Sequence, residues 1–506
     1  VHYSNGANIL CLFTIASPSH HIWNIEIAKA LATKGYNLTI VSSDVEANQP
    51  NLTFIHLEQV YSELYNATAD SEALDVIALT KVSEIEITIA LHYLFLKMCV
   101  GQFKSKGFSV IENYPNNFKV DLIIYDFTNG PCLLGLMHKF NYPPIVAVSA
   151  FGNPAFLQDI MGGHKYPAYV PHYSTSYDTN MSFRQRLFNT FLYVFDSMVR
   201  KYYLIRQIQS LSNSRFNDKN IPHVGNLEKR TNIMLLNTHT SHDYPEPLPP
   251  NVIPVAGLHI REPKPLPENL LKFILSGKKG SILVSLGTNV RSDRLSKEYL
   301  NMFLDTFTEL SDYNFIWKFE SDITNLPKNV LVKAWLPQAD ILPHVKAFVT
   351  HSGLLSTQES IWRGVPMITI PFIADQHRNS RKSVLNGIAE NVDFKTMTAK
   401  ILVDTIRKVV ESPSYTEKVQ KLSLYFRDRP IKPLDHAIWW IEWVLRHPND
   451  HHMDSPVLNL GSFKSNSYDI GLFIIFLIGL VIVAIRKIFK KVRKNNTKLP
   501  KSKKSN

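Results

Sequence analysis

The sequence predicts an α/β protein of two Rossmann-like domains that face a cleft, followed by one C-terminal transmembrane helix. Three observations predict this fold class. Apolar strand-like runs alternate with helix-like segments, which is the pattern of a parallel sheet covered by helices. A proline-rich interval divides two such series, and an uncharged apolar run follows them. The length of 506 residues also exceeds what one hydrophobic core usually supports.

The first series defines an N-terminal domain over residues 1–243. It opens with a strand ANILCLF, a helix IWNIEIAKALATKG and a strand NLTIVSS, which form a βαβ unit with Gly35 at the expected helix C-cap. The run VDLIIYDF at 120–127 reads as a further buried strand. Because ligands of open parallel sheets bind at the carboxyl ends of the strands, we expect the loops after these strands to carry function.

Many prolines lie between residues 244 and 267, in YPEPLPPNVIPVAGLHIREPKPL, and this interval is predicted to be a linker. A second domain is predicted over 268–447. Its strands are SILVSLG, NFIWKFE, VLVKAW, AFVTHSG and VPMITIPF, and its closing helix lies in FRDRPIKPLDHAIWWIEWVLRH. The two domains therefore form a cleft between them.

The C-terminal segment is divided into a juxtamembrane stretch at 448–469, a transmembrane helix at 470–489 and a basic tail at 490–506. The run IGLFIIFLIGLVIVAI, Ile470 to Ile485, carries no charge and approaches the length of a membrane span. From Arg486 onward there are ten Lys/Arg and no Asp/Glu, so the remaining chain carries only +2 of the net +12 charge. A basic nucleic-acid-binding surface is therefore not expected.

The basic tail is expected to stay cytosolic, which places the folded body on the other side of the membrane. The opening VHYSNGANIL is consistent with a mature chain after signal cleavage. Lys503 and Lys504, three and four residues from the end, resemble a dilysine retrieval signal, so an endoplasmic reticulum location is expected. Glycosylation sequons start at Asn51, Asn66 and Asn180, whereas three cysteines imply no disulfide framework.

The stretch FVTHSGLLSTQES, from Phe348 to Ser360, places a strand end, a short turn and a helix start in succession. The free N–H groups and the positive dipole end of such a helix favour an anion such as a diphosphate. His351 can add a donor, and Glu359 can accept hydrogen bonds from sugar hydroxyls. Alternatively, Ser352 is an ordinary helix cap and His351 a buried structural residue.

The longer run WLPQADILPHVKAFVTHSGLLSTQESIWRGVPMITIPFIADQ resembles the signature of the UDP-glycosyltransferases, the GT-B-fold enzymes that transfer a sugar from a UDP-sugar. Together with the closing helix, the apolar span and the tail, it is most similar to the insect members of the animal microsomal branch. This resemblance implies a donor site in the C-terminal domain. Its residues are Ser285, Gly287, Thr288, Trp335, Gln338, His351, Ser352, Gly353, Ser356, Glu359, Asp375 and Gln376.

Within that implied site, Trp335 and Gln338 match positions that hold the uracil and Glu359 the ribose partner. The stretch around His351 matches the diphosphate site. Asp375 and Gln376 match the pair that holds the hydroxyls of the transferred sugar. This chain departs from the family pattern in two respects: vertebrate members often have an Asn where Leu355 stands, and a donor-contacting Arg of vertebrate members aligns near Leu236.

The resemblance also implies the catalytic pair. His20, in the first βα loop, matches the general base and Asp126, at the end of VDLIIYD, matches its partner. A hydroxyl is a poor nucleophile at neutral pH, so a histidine that removes its proton, oriented by a carboxylate, suits the reaction. The neighbouring His21 is an alternative by position. Attack from behind the anomeric carbon would invert its configuration and release UDP.

The expected function is transfer of a hexose, glucose by resemblance to insect members, to a hydroxyl of a small lipophilic acceptor. Glycosylation of a membrane lipid such as ceramide, and a non-catalytic UDP-sugar-binding regulator, remain alternatives. The expected partners are a UDP-sugar, the acceptor, the lipid bilayer and a second copy of the chain. The sequence has no Asp-x-Asp and the cluster at 447–452 lacks ligand spacing, so neither metal nor cofactor is expected.

Overall fold

A computed structural model describes residues 6–65, 80, 82–115, 117–216, 220–288, 290–450 and 452–496. Four features discussed above lie outside these residues: the first five positions of the chain, the Asn66 sequon, His451 and the dilysine end of the tail. Within the described residues, Asn51 and Asn180 are exposed.

The N-terminal domain is built on a seven-stranded parallel sheet in the order β3-β2-β1-β4-β5-β6-β7. Its central strands are almost wholly buried because helices cover both faces. The strands are β1 (Asn8–Phe13), β2 (Asn37–Ser42), β3 (Leu52–His56), β4 (Leu122–Asp126), β5 (Ile145–Ser149), β6 (Thr231–Leu236) and β7 (Val252–Pro254). The helices are α1 (Pro18–Thr33), α2 (Gln59–Tyr65), α3 (Glu84–Lys104), α4 (Lys106–Glu112), α5 (Leu136–Lys139), α6 (Leu157–Met161), α7 (Phe183–Val199), α8 (Ile205–Phe216) and α9 (Val224–Glu228).

The C-terminal domain has a six-stranded parallel sheet in the order β10-β9-β8-β11-β12-β13. Its strands are β8 (Ser281–Ser285), β9 (Asn314–Lys318), β10 (Val330–Lys333), β11 (Ala347–Thr350), β12 (Met367–Thr369) and β13 (Ala389–Asn391). Its helices are α10 (Glu268–Leu275), α11 (Lys297–Glu309), α12 (Gln338–Ile341), α13 (Leu354–Arg363), α14 (Asp375–Leu385), α15 (Ala399–Glu411) and α16 (Pro413–Arg427). In both sheets the first strand of the domain lies near the middle, so the loops after β1 and β8 open toward the cleft.

Two segments pack differently from the sequence-based division into domains. The interval expected to be only a linker contributes β7 to the N-terminal sheet, where Val252 pairs with Met234. The closing helix α17 (Pro433–Arg446), assigned above to the C-terminal domain, instead packs on the N-terminal sheet. Its buried face, including Ile441, joins the core that contains Leu31 of α1. The chain therefore returns to its first domain after completing the second.

Beyond α17 lie α18 (Val457–Ser465) and α19 (Tyr468–Asn496). Helix α19 is long and apolar enough to cross a membrane, and none of its apolar stretch is buried inside the protein. It includes the predicted span at 470–489 and extends into the basic segment.

A disulfide joins Cys99 of α3 to Cys132, which follows β4, while Cys11 is free and buried. Three cysteines in the sequence predicted no such framework. The topology explains the bond: α3 crosses the carboxyl end of β4, so the two cysteines meet across 33 residues of sequence with Cα atoms 5.6 Å apart.

Candidate active site

A cleft of about 450 Å³ lies between the two domains at the carboxyl ends of both sheets. The N-terminal domain contributes the loop after β1 and the inner face of α3. The C-terminal domain contributes the turns after β8, β11 and β12. The position is the one that open parallel sheets favour for ligands, because helix N-termini and loop N–H groups converge there.

On the N-terminal side, His20 and Asp126 form a buried pair beside the cleft. His20 Nδ1 lies 2.7 Å from Asp126 Oδ2. The carboxylate also accepts hydrogen bonds from Asn24 Nδ2 at 2.9 Å and from the backbone N–H of Thr128 at 3.1 Å. Phe151 packs edge-on against the imidazole, with ring centroids 4.7 Å apart. These contacts fix the histidine ring in one orientation.

The charge of Asp126 decides which nitrogen of His20 carries the proton. Burial alone would raise the pKa of Asp126, but the charge of His20 and the hydrogen bonds it accepts hold that pKa below its ordinary value. An ionised carboxylate only accepts, so Nδ1–H of His20 donates to it, and in the neutral imidazole Nε2 is the nitrogen that carries the lone pair. His20 lines the cleft. The arrangement is therefore that of a histidine base oriented by a carboxylate.

His21 has different surroundings. Its Nε2 lies 3.6 Å from Glu46 Oε1, away from Asp126. Only His20 of the two neighbours lines the cleft. Helix α1 begins at Pro18, so consecutive side chains point about 100° apart, and one of the two neighbours must turn away.

On the opposite wall, the turn between β11 and α13 brings His351 against two glycines. A Cβ at Gly287 would lie 2.4 Å from His351 Cε1, and a Cβ at Gly353 would lie 2.4 Å from His351 Nε2. Gly287 also has a φ of +90°. Both positions therefore need glycine to hold the imidazole between the β8 turn and the first turn of α13.

The ionisation of His351 follows from its burial, which lowers its pKa to about 4, helped by the positive charge of Lys318. At neutral pH His351 is uncharged and acts as a hydrogen-bond donor or acceptor. The fixed positive charge nearby belongs to Lys318, at the end of β9, which pairs with Glu320 and also lines the cleft. The N-terminus of α13 adds its free N–H groups.

A second cluster of polar side chains lies on the same wall, on α12 and α13. Gln338 Nε2 donates to Ser356 Oγ at 3.0 Å and to Glu359 Oε2 at 2.7 Å. Burial raises the pKa of Glu359, while Gln338 opposes that rise. Trp335, with 62% of its surface exposed, lines the cleft just before this group. An exposed indole beside a hydrogen-bonding amide is a suitable platform for a flat base.

Asp375 and Gln376 lie at the start of α14, on the side of the cleft that faces His20. Gln376 Oε1 accepts from the N–H groups of Phe372 and Ile373, so its amide nitrogen remains as the donor. Burial raises the pKa of Asp375 to about 6, partly opposed by a hydrogen bond from Asn379 at 2.8 Å. The preceding Ala374 has a φ of +53°, a strained conformation that aims this turn into the cleft.

The structure brings almost all of the predicted site residues to this one cleft. The lining includes His20, Ser285, Gly287, Thr288, Trp335, Gln338, His351, Gly353, Ser356, Glu359, Asp375 and Gln376. Asp126 lies behind His20. Ser352 is different: it is fully buried with a φ of +64°, and its role is to turn the chain between His351 and Gly353.

The polar lining residues that the sequence did not predict include three basic side chains, those of His259, Arg261 and Lys318. Arg261 forms a bidentate pair with Asp340 at 2.8 and 3.0 Å, and His259 lies 3.8 Å from Glu359. Two of them lie in the proline-rich interval, where no periodic pattern draws attention to them. The position of Lys318 at the end of a strand-like run was the one signal that could have indicated it.

The wall of the cleft that α3 supplies is apolar. Leu91, Leu94, Phe95 and Met98 line it from α3, at the spacing of one helix face. Tyr65 from α2 and Phe151 after β5 complete this wall. No group of three or more His, Cys, Asp or Glu able to hold a metal ion occurs within the described part of the chain.

Two Rossmann-type parallel-sheet domains that face each other across a cleft define the GT-B fold. Solved structures share this fold. A calicheamicin glycosyltransferase has a TM-score of 0.56 at 14% identity, covering 88% of this chain and all of that one. The kitacinnamycin glycosyltransferase has a TM-score of 0.55 at 18% identity, covering 87% of this chain and 98% of its own.

The chain belongs to the family described as "UDP-glucoronosyl and UDP-glucosyl transferase", whose model matches residues 11–506. It is 33% identical over 457 residues to UDP-glucosyltransferase 2 of Dactylopius coccus, covering 89% of this chain and 86% of that protein. It is also 33% identical over 390 residues to human UDP-glucuronosyltransferase 2B15, covering 75% of this chain and 72% of that protein.

Proposed function

We propose that this UDP-glycosyltransferase transfers glucose from UDP-glucose to a hydroxyl of a small lipophilic acceptor, with inversion at the anomeric carbon. The observation that carries the proposal is the His20–Asp126 pair, 2.7 Å apart, between an apolar wall and a polar donor wall. A hydroxyl-bearing apolar molecule against α3 would present its oxygen to His20.

In the proposed reaction, His20 Nε2 takes the acceptor hydroxyl proton as the oxygen attacks the anomeric carbon. The bond from that carbon to the β-phosphate oxygen breaks, and UDP leaves with the electron pair. Asp126 stabilises the resulting imidazolium, and the N-terminus of α13 with Lys318 stabilises the charge on the leaving diphosphate. Both the positive dipole end of α13 and the Lys318 ammonium are supplied by the chain itself.

A neutral sugar fits the cleft better than glucuronate does. The two cationic side chains among the described lining residues, Arg261 and Lys318, are each paired with a carboxylate. The lining histidine His351 is uncharged at neutral pH, with a pKa of about 4. A glucuronate carboxylate would therefore lack an unpaired cation and would lie near Asp375. The naming of the Dactylopius relative as a glucosyltransferase agrees with this choice.

The proposed setting is the endoplasmic reticulum membrane, with the body in the lumen, α19 across the bilayer and the basic tail in the cytosol. The length and apolar composition of α19 support the span, and the positive charges after it support the orientation.

The test is a donor panel with membranes that contain the full chain. UDP-glucose, UDP-glucuronate and UDP-galactose are each supplied with phenols, aliphatic alcohols or ceramide, and UDP release is measured. Acceptor-dependent release with UDP-glucose, and a β-glucoside product by NMR, is the expected result. Preference for UDP-glucuronate would contradict the sugar assignment, and activity on ceramide alone would contradict the acceptor class. UDP binding without any release would favour the non-catalytic alternative.

A further inference from the structure

His259 is a cleft residue to which the proposed reaction assigns no role. It follows β7 in the proline-rich interval, and its side chain is fully buried although it lines the cleft. Its polar neighbours are the backbone of Leu355 and the carboxylate of Glu359, both on α13. Neither ring nitrogen makes a hydrogen bond of ordinary geometry within the described chain. Because a buried polar group without a partner is costly, this imidazole is suited to a partner that moves into place when a ligand binds.

The chain around His259 is fixed on both sides. Before it, the backbone N–H of Gly257 donates to Gln358 Oε1 of α13 at 3.1 Å. After it, the Arg261 guanidinium forms its bidentate pair with Asp340 of α12. These contacts attach the linker to the C-terminal domain. The imidazole is therefore held against α12 and α13.

The two oxygens of Glu359 have different surroundings. Oε2 accepts a hydrogen bond from Gln338 Nε2 at 2.7 Å, whereas Oε1 lies 3.8 Å from His259 Nε2. A shift of about 1 Å would bring Oε1 within hydrogen-bonding distance of the imidazole. Glu359 also lines the cleft, so a ligand that contacts its carboxylate can cause that shift.

The ionisation of the two groups favours a hydrogen bond between a neutral imidazole and a carboxylate. Burial lowers the pKa of His259 to about 4, so at neutral pH the ring is uncharged and has one N–H to donate. Burial raises the pKa of Glu359, and the hydrogen bond from Gln338 opposes that rise. A second donor, at Oε1, would stabilise the ionised carboxylate further.

We infer that His259 is a positioning residue for the nucleoside of the donor: its Nε2–H donates to Glu359 Oε1 when the nucleotide binds. With Gln338 at the other oxygen, two of the roughly four lone-pair positions of the carboxylate are filled, and two are left for neighbouring ribose hydroxyls. The inference deepens the proposed function and rests on UDP-sugar binding in this cleft. It assigns to His259 a part in the preference for a ribonucleotide over a deoxyribonucleotide.

The proposed diphosphate-binding turn is held by other contacts. Its imidazole, that of His351, lies between Gly287 and Gly353 and touches neither His259 nor Glu359 in the contacts that fix it. A change at residue 259 should therefore alter the selectivity for the ribose more than the affinity for the phosphate groups.

The experiment measures the binding of UDP, 2′-deoxy-UDP and 3′-deoxy-UDP to the full chain in detergent micelles by titration calorimetry. His259→Phe keeps a ring without a donor, and His259→Gln keeps a donor. Glu359→Gln, alone and combined with His259→Phe, tests whether the histidine acts through the carboxylate. His344→Gln, at an exposed position of the same domain, is the matched control. Thermal unfolding verifies that each variant is folded.

We expect wild type to bind UDP about tenfold or more tightly than at least one of the deoxynucleotides. His259→Phe should lower that ratio about fivefold, and His259→Gln should stay within about twofold of wild type. The control should leave the ratio unchanged. In the Glu359→Gln background, His259→Phe should change the ratio no further.

An equal loss of affinity for all three nucleotides in His259→Phe, with the ratio kept, would overturn the inference, because it would indicate a structural role alone. So would an additive effect in the double variant, or loss of the ratio in a folded His259→Gln protein, which carries the test should the phenyl variant not fold. Equal binding of the three nucleotides by wild type would overturn the inference and leave the proposed donor site standing. A wild-type chain that bound none of them would overturn both.

Discussion

At the residue scale, burial sets the protonation state of groups that line the cleft. Asp375 is the clearest case, because burial raises its pKa from 3.8 to about 6. An acid with a raised pKa in the folded state stabilises the fold below its ordinary pKa. That contribution is lost as the pH rises through about 6. Asp375 therefore keeps a charge at neutral pH at the expense of stability, as expected of a group that binds a ligand.

Asp375→Asn should raise the stability of the chain at pH 7 by about 1–2 kcal/mol and leave it nearly unchanged at pH 4. The physical reason is that the amide removes the buried charge, which wild type carries only above about pH 6. Thermal unfolding at the two pH values measures the effect. An equal gain at both values would show that ionisation is not the cause.

The same substitution tests the role of the carboxylate in binding. In wild type, KM for the UDP-sugar should rise as the pH falls below about 6, because protonation of Asp375 removes an acceptor for sugar hydroxyls. In Asp375→Asn, KM should be higher and independent of pH in this range. A persisting pH dependence in the variant would assign it to another group.

Individual residues were predictable from the sequence where a side chain acts close to its own motif. His20 and the turn around His351 are examples, since strand ends and helix starts can be read from apolar runs. The positions of Lys318 and Arg261 in the cleft were not predicted, because they depend on which distant strands and loops become neighbours in the fold. Ser352 was assigned to the site with its neighbours, and only the backbone shows that its left-handed φ buries the side chain.

At the element scale, the turn after β11 depends on glycine at 353 for room. Gly353→Ala should lower UDP affinity about tenfold or more, because the new Cβ would lie 2.4 Å from His351 Nε2 and displace the ring. Gly353 has a φ of −57°, so alanine is not strained at this position and the effect isolates the contact. Titration calorimetry with UDP measures it. Gly479→Ala, where a Cβ meets no atom within 4 Å, is the control.

The attachment of α3 to α7 is a second element-scale feature. His92 Nε2 lies 2.5 Å from Asp196 Oδ1, and His172 Nε2 lies 3.3 Å from Asp196 Oδ2, all three side chains being buried. Burial would raise the pKa of Asp196, but hydrogen bonds from the two histidines hold it below its ordinary value. This ionised carboxylate therefore fixes the helix that supplies the apolar wall of the cleft, the proposed acceptor wall.

Asp196→Asn should lower stability by about 2–4 kcal/mol and raise KM for the acceptor several-fold, with KM for the UDP-sugar unchanged. The loss follows from replacing a buried acceptor of two hydrogen bonds, which frees α3 to shift. Chemical denaturation and steady-state kinetics provide the two measurements. Asp404→Asn removes an exposed i,i+4 partner of Lys400 and should change neither. Equal changes in both KM values would contradict a specific effect on the acceptor wall.

The elements themselves follow from the sequence better than their partners do. Several elements match the predicted strands and helices: β1, α1, β4, β8, β11 and α13. The strands were predictable because buried parallel strands appear in the sequence as continuous apolar runs. The disulfide and the His92–Asp196–His172 cluster were not predictable, since both join α3 to residues that only tertiary packing brings near.

At the scale of the whole molecule, the two-domain α/β fold and its cleft are as predicted, and the family model and solved structures confirm them. The division of the chain between the domains is less regular. Helix α17 follows the C-terminal domain in sequence yet packs on the N-terminal sheet, where Lys34 pairs with Glu442 at 2.8 Å. Periodicity indicates that a helix has an apolar face but not which domain covers it.

The central claim of the proposed function is that one particular histidine, His20, removes the proton of the acceptor hydroxyl. Transfer should therefore depend on His20 and not on its neighbour. The measurement is the rate of UDP release by His20→Ala and His21→Ala proteins, with UDP affinity determined for both. We predict a loss of 10²-fold or more for His20→Ala, with UDP affinity retained, and near wild-type turnover for His21→Ala. Full turnover by His20→Ala, or an equal loss in the two variants, would contradict the account.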